Sequence, residues 1–143
     1  RNDFGKNCDF GSVEVSDLFK IETFANVHHL VSTVKGRLSK EDDIFKLLRD
    51  CFPGGSITGA PKIRAMQIIN ELEMNNRSIY CGAIGYISTN YKSDFNIAIR
   101  TVLSVESDLH FWGGGGITFD SEVESEYAET IDKIKPLLNS LRR

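Results

Sequence analysis

Phe52-Pro53-Gly54-Gly55-Ser56-Ile57-Thr58-Gly59-Ala60-Pro61-Lys62-Ile63-Arg64-Ala65-Met66 is a glycine- and hydroxyl-rich turn that runs straight into an amphipathic helix. Gly54, Gly55 and Gly59 fall within six positions, so the backbone there either approaches something closely or takes φ > 0, where a Cβ would collide. Ser56 and Thr58 are interleaved, and the free N–H groups of a helix start lie behind them, which suits a small anion. Standing alone, such a loop reads as an ordinary structural turn. A second stretch changes the balance: Gly113-Gly114-Gly115-Gly116-Ile117-Thr118-Phe119-Asp120-Ser121 leads into Glu126-Tyr127-Ala128-Glu129-Thr130. Two glycine-rich turns, each feeding a helix, are more than loop chemistry requires.

The 143 residues are 41% hydrophobic, which is ordinary globular material with enough length for one core. A net charge of −3 and a pI near 5.6 leave no basic footprint, so nucleic acid is not an expected partner. No apolar run approaches the roughly 20 residues that span a bilayer, and no signal-peptide pattern opens the chain. Cys8, Cys51 and Cys81 are odd in number and form no Cys-x-x-Cys pair, which points to reduced thiols in a cytoplasmic protein. Each reads as a small core residue rather than a nucleophile. Arg1-Asn2-Asp3-Phe4-Gly5 resembles mid-domain sequence, so the chain is expected to be part of a larger fold.

The pattern predicts a short strand near Ser12–Val15 and another over Asn26–Val34, where β-branched residues recur with period two. Ile44, Leu47, Leu48 and Cys51 give a helix over Lys40–Cys51, acidic in its first turn and stopped by Pro53-Gly54. Pro61 opens the next helix, whose stripe of Ile63, Met66, Ile68, Ile69 and Leu72 runs to about Met74. Tyr80–Ser88 reads as a strand, Thr89–Ser93 as a hairpin connection and Phe95–Val105 as its antiparallel partner. Leu109–Trp112 is a fourth strand. Glu122 to Leu141 is a helix, kinked or interrupted at Pro136. No boundary is expected within the chain, and the order of elements is α+β.

Several side chains could carry chemistry. Glu126 and Glu129 are three apart on a helix and so share a face. Two carboxylates held together attract a hard cation such as Mg²⁺, although Glu129 also stands four residues before Lys133 and could simply pair with it. Ser121 and Glu124 fit a capping box. Arg100, on a strand with Asn96 and Ala98, needs an anion: a substrate carboxylate or a structural Asp. Tyr80 could offer its hydroxyl to the same anion, or pack in the core. His28 and His29 are adjacent on a strand and point to opposite faces, so one is expected to turn inward or toward a cavity. Lys62 does not make a phosphate loop, because Ala60-Pro61 separates it from Gly59.

Taken together and in order, these motifs resemble those of the chorismate-utilising enzymes. The resemblance covers the whole chain, from Arg1–Gly5 and His29–Ser32 through Pro53–Met66, Tyr80–Tyr86, Ala98–Thr101 and Gly114–Ser121 to Glu126–Thr130. It implies an α+β fold in which antiparallel β-sheet layers are flanked by helices, the anthranilate-synthase-like chorismate-binding fold. Residues 1–143 would be the C-terminal part of a single chorismate-binding domain. Pro53–Lys62 and the Cys81 before Gly82–Tyr86 look like the aminodeoxychorismate synthase branch. Anthranilate synthases, which usually carry Pro-Ala-Gly-Thr-x-Ser-Gly-Ala-Pro-Lys, are the alternative, as is a non-catalytic piece of the same fold.

By the same resemblance, Mg²⁺ would sit on Glu129, with Glu126 bound directly or through water, and would hold the ring carboxylate of chorismate. Tyr80, Arg100 and the N–H groups near Gly114 and Gly116 would hold the enolpyruvyl carboxylate. Lys133 would reach the ring carboxylate, His29 would lie near the reacting ring, and Ser56 would line the substrate wall. Ammonia would come from a glutaminase partner subunit. Family members are much longer, with a further magnesium ligand and a reacting lysine in motifs not found in these 143 residues. The chain by itself is therefore expected to be inactive.

Overall fold

A computed structural model describes residues 1–23, 28–39 and 43–141, and the chain divides into two compact units, Arg1–Phe52 and Pro53–Arg143. The first unit begins with a short 3-10 turn at Phe4–Lys6, continues through strands β1 (Glu14–Thr23) and β2 (His28–Lys35), and ends in helix α1 (Ile44–Cys51). The two strands pair antiparallel, with Lys20 opposite Val31, Ile21 opposite Leu30, and Glu22 opposite His29. β1 is much longer than the expected Ser12–Val15. Register shifts between Val15 and Asp17 and between Asp17 and Lys20 explain the discrepancy, because each bulge resets the period-two alternation on which a strand is read. Phe19 takes φ 51° within the irregular stretch, and its N–H donates to Ser32 Oγ at 3.1 Å. Of the expected second strand, residues 26 and 27 lie outside the described residues. So do residues 40–42 of the expected helix. α1 is capped by Asp43, whose carboxylate accepts the Lys46 N–H at 2.7 Å.

The second unit holds the short helical turn α2 (Gly55–Thr58), helix α3 (Lys62–Leu72), strands β3 (Ala83–Ile87), β4 (Ser93–Ile97), β5 (Val102–Val105) and β6 (Asp108–Phe111), and helix α4 (Val123–Leu141). The strands form two separate antiparallel hairpins, β3–β4 and β5–β6. This corrects the single strand expected over Phe95–Val105. The chain bends there: the Ile99 N–H donates back to Ile97 O at 2.9 Å, and Arg100 takes φ 51°. Ala98 and Cys81 extend the β3–β4 ladder through Ala98 N–H to Gly82 O and Cys81 N–H to Ala98 O, both 2.9 Å. Those two residues are also the buried apolar core, at 3% and 4% exposure. Tyr80 and Cys81 belong to a turn rather than to the strand expected from Tyr80 onward. At Gly85 a side chain would collide with the Asp94 carbonyl and Phe95 across the hairpin.

Helix α4 runs through Pro136 without ending there, so of the expected kink or interruption the interruption does not occur. Ser121 does not form the expected capping box with Glu124. It accepts the Thr118 N–H at 3.0 Å and donates to Glu126 instead. The apolar stripe of α3 is only partly covered within its own unit: Ile63, Met66, Ile68 and Leu72 are exposed and Ile69 is half-buried. No helix among the described residues is long and apolar enough to cross a membrane.

Candidate functional site

The loop Gly113–Gly116 between β6 and α4 gathers the side chains of interest in the second unit. Glycine is required at its start because α4 comes very close. A Cβ at Gly113 would stand 2.5 Å from Ile134 Cγ2 and 3.3 Å from the Thr130 carbonyl oxygen. The next two glycines admit functional atoms. A Cβ at Gly114 would meet Tyr80 Oη at 3.0 Å, and one at Gly115 would meet Glu126 Oε2 at 3.0 Å and Lys133 Nζ at 3.8 Å. Lys133 Nζ donates to Gly114 O at 3.2 Å and forms an ion pair with Glu129 Oε1 at 2.5 Å. Ser121 Oγ donates to Glu126 Oε1 at 2.5 Å.

Tyr80, Gly114, Glu126, Glu129 and Lys133 therefore converge on one loop, as three turns of α4 carry 126, 129 and 133 along one face. The two carboxylates do not stand alone. Each gives one oxygen to a neighbour, Ser121 or Lys133, and the Glu129–Lys133 pairing allowed by their spacing is realised. Among the described residues no group of three or more His, Cys, Asp or Glu comes together as a metal site. A second oxygen on each glutamate, with Glu126 Oε2 facing a loop that carries no side chain, fits part of the oxygen sphere of a hard cation.

Behind the loop lies an aromatic and cationic layer. The Tyr80 ring stacks on Trp112 with centroids 6.1 Å apart and planes 8° from parallel, and His110 stacks on Trp112 at 6.4 Å. Arg77 lies over Tyr80, its guanidinium carbon 5.8 Å from the ring centroid. Burial raises the Tyr80 phenol above its ordinary value, with a smaller push from Cys81. It raises the Cys81 thiol as well, which suits an unreactive core cysteine. Tyr80 thus reaches the loop as a protonated hydrogen-bond donor.

The other expected residues are not part of this cluster. Gly116 has nothing within 4 Å of where a Cβ would stand. Arg100 is exposed in the bend after β4, and it makes no ion pair with a carboxylate among the described residues. Ser56 is exposed on α2, whose fold is held by Thr58 Oγ1 donating to Gly54 O at 2.8 Å. His29 lies on β2 of the first unit, opposite Glu22. Neither His28 nor His29 turns into a core: both are exposed, and with Ile21, Thr23 and Leu30 they line an open concavity of about 520 Å³, the second of the two expected placements. Sequence reasoning passed over Ser121, Arg77 and Trp112 as site neighbours. Only Arg77 left a signal, standing four residues after Glu73.

Comparison with known proteins gives the family. Residues 1–139 match the family model described as chorismate binding enzyme. The chain is 52% identical over 141 residues to aminodeoxychorismate synthase component 1 of Salmonella typhimurium, covering 99% of this chain and 31% of that protein. It is 43% identical over 143 residues to anthranilate synthase component 1 of Streptomyces coelicolor, covering 100% of this chain and 28% of the relative. Anthranilate synthase component I from Streptococcus pneumoniae superposes with a TM-score of 0.79 at 42% identity, covering 94% of this chain and 31% of that structure. The chain belongs to the chorismate binding enzyme family and has its α+β fold. It spans about a third of the length of the curated relatives it matches.

Proposed function

We propose that the whole protein is an aminodeoxychorismate synthase component 1, which replaces the ring C4 hydroxyl of chorismate with an amino group. Chorismate and ammonia give 4-amino-4-deoxychorismate and water, a step toward para-aminobenzoate and folate. The observation that carries the proposal is the convergence of Tyr80, Glu126, Glu129 and Lys133 on the Gly113–Gly115 loop. Similarity to aminodeoxychorismate synthase component 1 supports this choice of reaction within the family.

Chorismate is a dianion, and the cluster offers a way to hold both its charges. The Tyr80 hydroxyl and the N–H groups of the loop donate to the enolpyruvyl carboxylate, joined by Arg100 from the bend after β4. Lys133, already fixed by Glu129 and Gly114 O, directs a remaining proton toward the ring carboxylate. Glu126 and Glu129 would hold Mg²⁺, which supplies Lewis-acid stabilisation of the ring carboxylate and the departing hydroxyl when bound. Ser121 fixes the orientation of Glu126 for that task. Ser56, on α2 of the same unit, would line the substrate wall.

Both units belong to one chorismate-binding domain in this reading, in line with a family match that is continuous across residues 52 and 53. A glutaminase subunit supplies ammonia. The cytoplasm, where cysteine thiols stay reduced, is the compartment this reading places the protein in. A second reading, anthranilate synthase, has support from relatives at 43% and 42% identity. Full-length protein given chorismate, Mg²⁺ and ammonium separates the two by mass-resolved chromatography. Formation of 4-amino-4-deoxychorismate supports the proposal, whereas anthranilate as the product overturns it in favour of the second reading.

A further inference from the structure

We infer that Arg77 is a positioning residue: it ties the turn that carries Ser56 to the turn that carries Tyr80, and so fixes where the Tyr80 hydroxyl meets the Gly114 loop. The inference rests on the proposed role of Tyr80 in binding chorismate. The guanidinium is committed on three sides. Nε and Nη2 bond the two oxygens of Glu73, at 2.9 Å to Oε2 and 2.6 Å to Oε1. With the fork set by that carboxylate, Nη1 is aimed at Ile57 O, 2.9 Å away, and lies 3.7 Å from Cys81 Sγ. Ile57 sits in the four-residue α2, which is too short to satisfy its own carbonyls, so the arginine supplies the donor that the helix lacks. The same group lies over the Tyr80 ring, whose position is further set by stacking on Trp112.

One cation thus touches both the residue after Ser56 and the residue whose hydroxyl reaches Gly114. Only a planar fork can make these contacts at once; a lysine offers a point charge on a flexible stem. Among the described residues Arg77 has no hydrogen bond or ion pair to the loop, Glu126 or Glu129, so its effect on substrate must pass through Tyr80 and α2.

The test is a double-mutant cycle in the full-length protein with chorismate as substrate, using R77A, R77K, Y80F and R77A/Y80F. Losing one hydrogen bond to a carboxylate should raise the chorismate KM about 10- to 100-fold in Y80F, with a much smaller change in kcat. R77A should raise KM to a similar extent and R77K to an intermediate one. The double variant should be no worse than the more impaired single variant, because the two residues act as a unit. Multiplicative losses in the double variant, or an R77A effect confined to kcat, overturn the inference while leaving the site reading intact. A Y80F variant with unchanged KM overturns the role of Tyr80 and the inference together. If R77A does not fold, the cycle is run with R77K and R77K/Y80F, and the same comparison decides.

Discussion

Adding one methyl group at position 113 stresses the packing of α4 against the glycine loop. In Gly113→Ala the new Cβ stands 2.5 Å from Ile134 Cγ2 and 3.3 Å from Thr130 O. Carbon–carbon contacts settle at about 3.5–4.0 Å, so a gap of roughly 1 Å has to open. Ile134 can turn part of the way, but the Thr130 oxygen is helix backbone, and relieving that contact moves the helix or the loop. Overpacking of this kind costs about 1–3 kcal/mol. At about 2–4 °C per kcal/mol for a folding unit of this order of size, the melting temperature should fall by about 2–12 °C. Glu126, Glu129 and Lys133 ride on the same helix, and a misplacement near 1 Å costs about 100-fold in turnover. Gly116→Ala is the control for stability, because nothing lies within 4 Å of its Cβ; its melting temperature should hold or rise slightly. Thermal unfolding by circular dichroism, with chorismate kinetics on full-length protein, reads both effects. If Gly113→Ala melts with the wild type, or Gly116→Ala falls as far, α4 does not approach Gly113 this closely.

Replacing Ser121 with Ala removes the donor to Glu126 Oε1 and should weaken Mg²⁺ about 10- to 100-fold, read by calorimetric Mg²⁺ titration as well as by turnover. Unaltered Mg²⁺ affinity in that variant would count against Glu126 as a ligand. Stability should decline at alkaline pH: the Cys81 thiol and the Tyr80 phenol sit above their ordinary 9.0 and 10.0, so the folded state holds both protons more tightly than the unfolded chain. That contribution is whole below about pH 9 and is lost as pH rises through the folded-state values. Urea midpoints should therefore drop as pH rises above about 9, and less so in Tyr80→Phe; an equal drop there removes Tyr80 as a source. Glu73 carries the opposite sign. The bond from Arg77 lowers its pKa below the ordinary 4.5, so its contribution is present above about pH 4.5 and fades in acid, a fade that Glu73→Gln should abolish. The 143-residue chain by itself should self-associate through the exposed residues of the α3 stripe and show no chorismate turnover. Sedimentation velocity should then show Ile63→Glu/Leu72→Glu as the smaller species, and a monomeric wild-type chain with turnover would overturn both halves.

Much of this was legible in the sequence because a few residues fix the backbone locally. Pro61 marks the start of α3, the acidic residue at Asp43 caps α1, and the glycine run ends β6 ahead of α4. What was not legible depended on tertiary choices. The two bulges of β1 erase its alternation, so ten residues of strand read as four. The bend at Ala98–Arg100 contains neither Gly nor Pro, and it divides a stretch that reads as one continuous strand. The stripe on α3 was recognised as apolar, yet periodicity says only that a face wants cover, not which segment provides it. In the site, the i, i+3 and i+4 spacings of Glu126, Glu129 and Lys133 were visible in advance. Tyr80 beside Gly114 was not readable from spacing, since residues 34 positions apart meet only in the fold; the family resemblance alone put both at one carboxylate.

The arrangement also explains why the glycine run serves two purposes that pull the same way. A loop without side chains lets α4 come close to Gly113 with Ile134, and the same bareness leaves Tyr80 Oη and Glu126 Oε2 beside the space that side chains at 114 and 115 would fill. Close helix approach therefore brings the carboxylates to the loop, and the loop in turn holds Lys133 through Gly114 O. Any side chain placed at 113, 114 or 115 would push apart the helix, the tyrosine or the glutamate in turn. Residue 116 escapes this constraint, so the structural need for glycine ends one position before the run does. If Gly116 is required at all, the requirement must come from what binds beside it rather than from the fold. Substitution at 116 accordingly separates ligand contact from packing in a way that none of its three neighbours can.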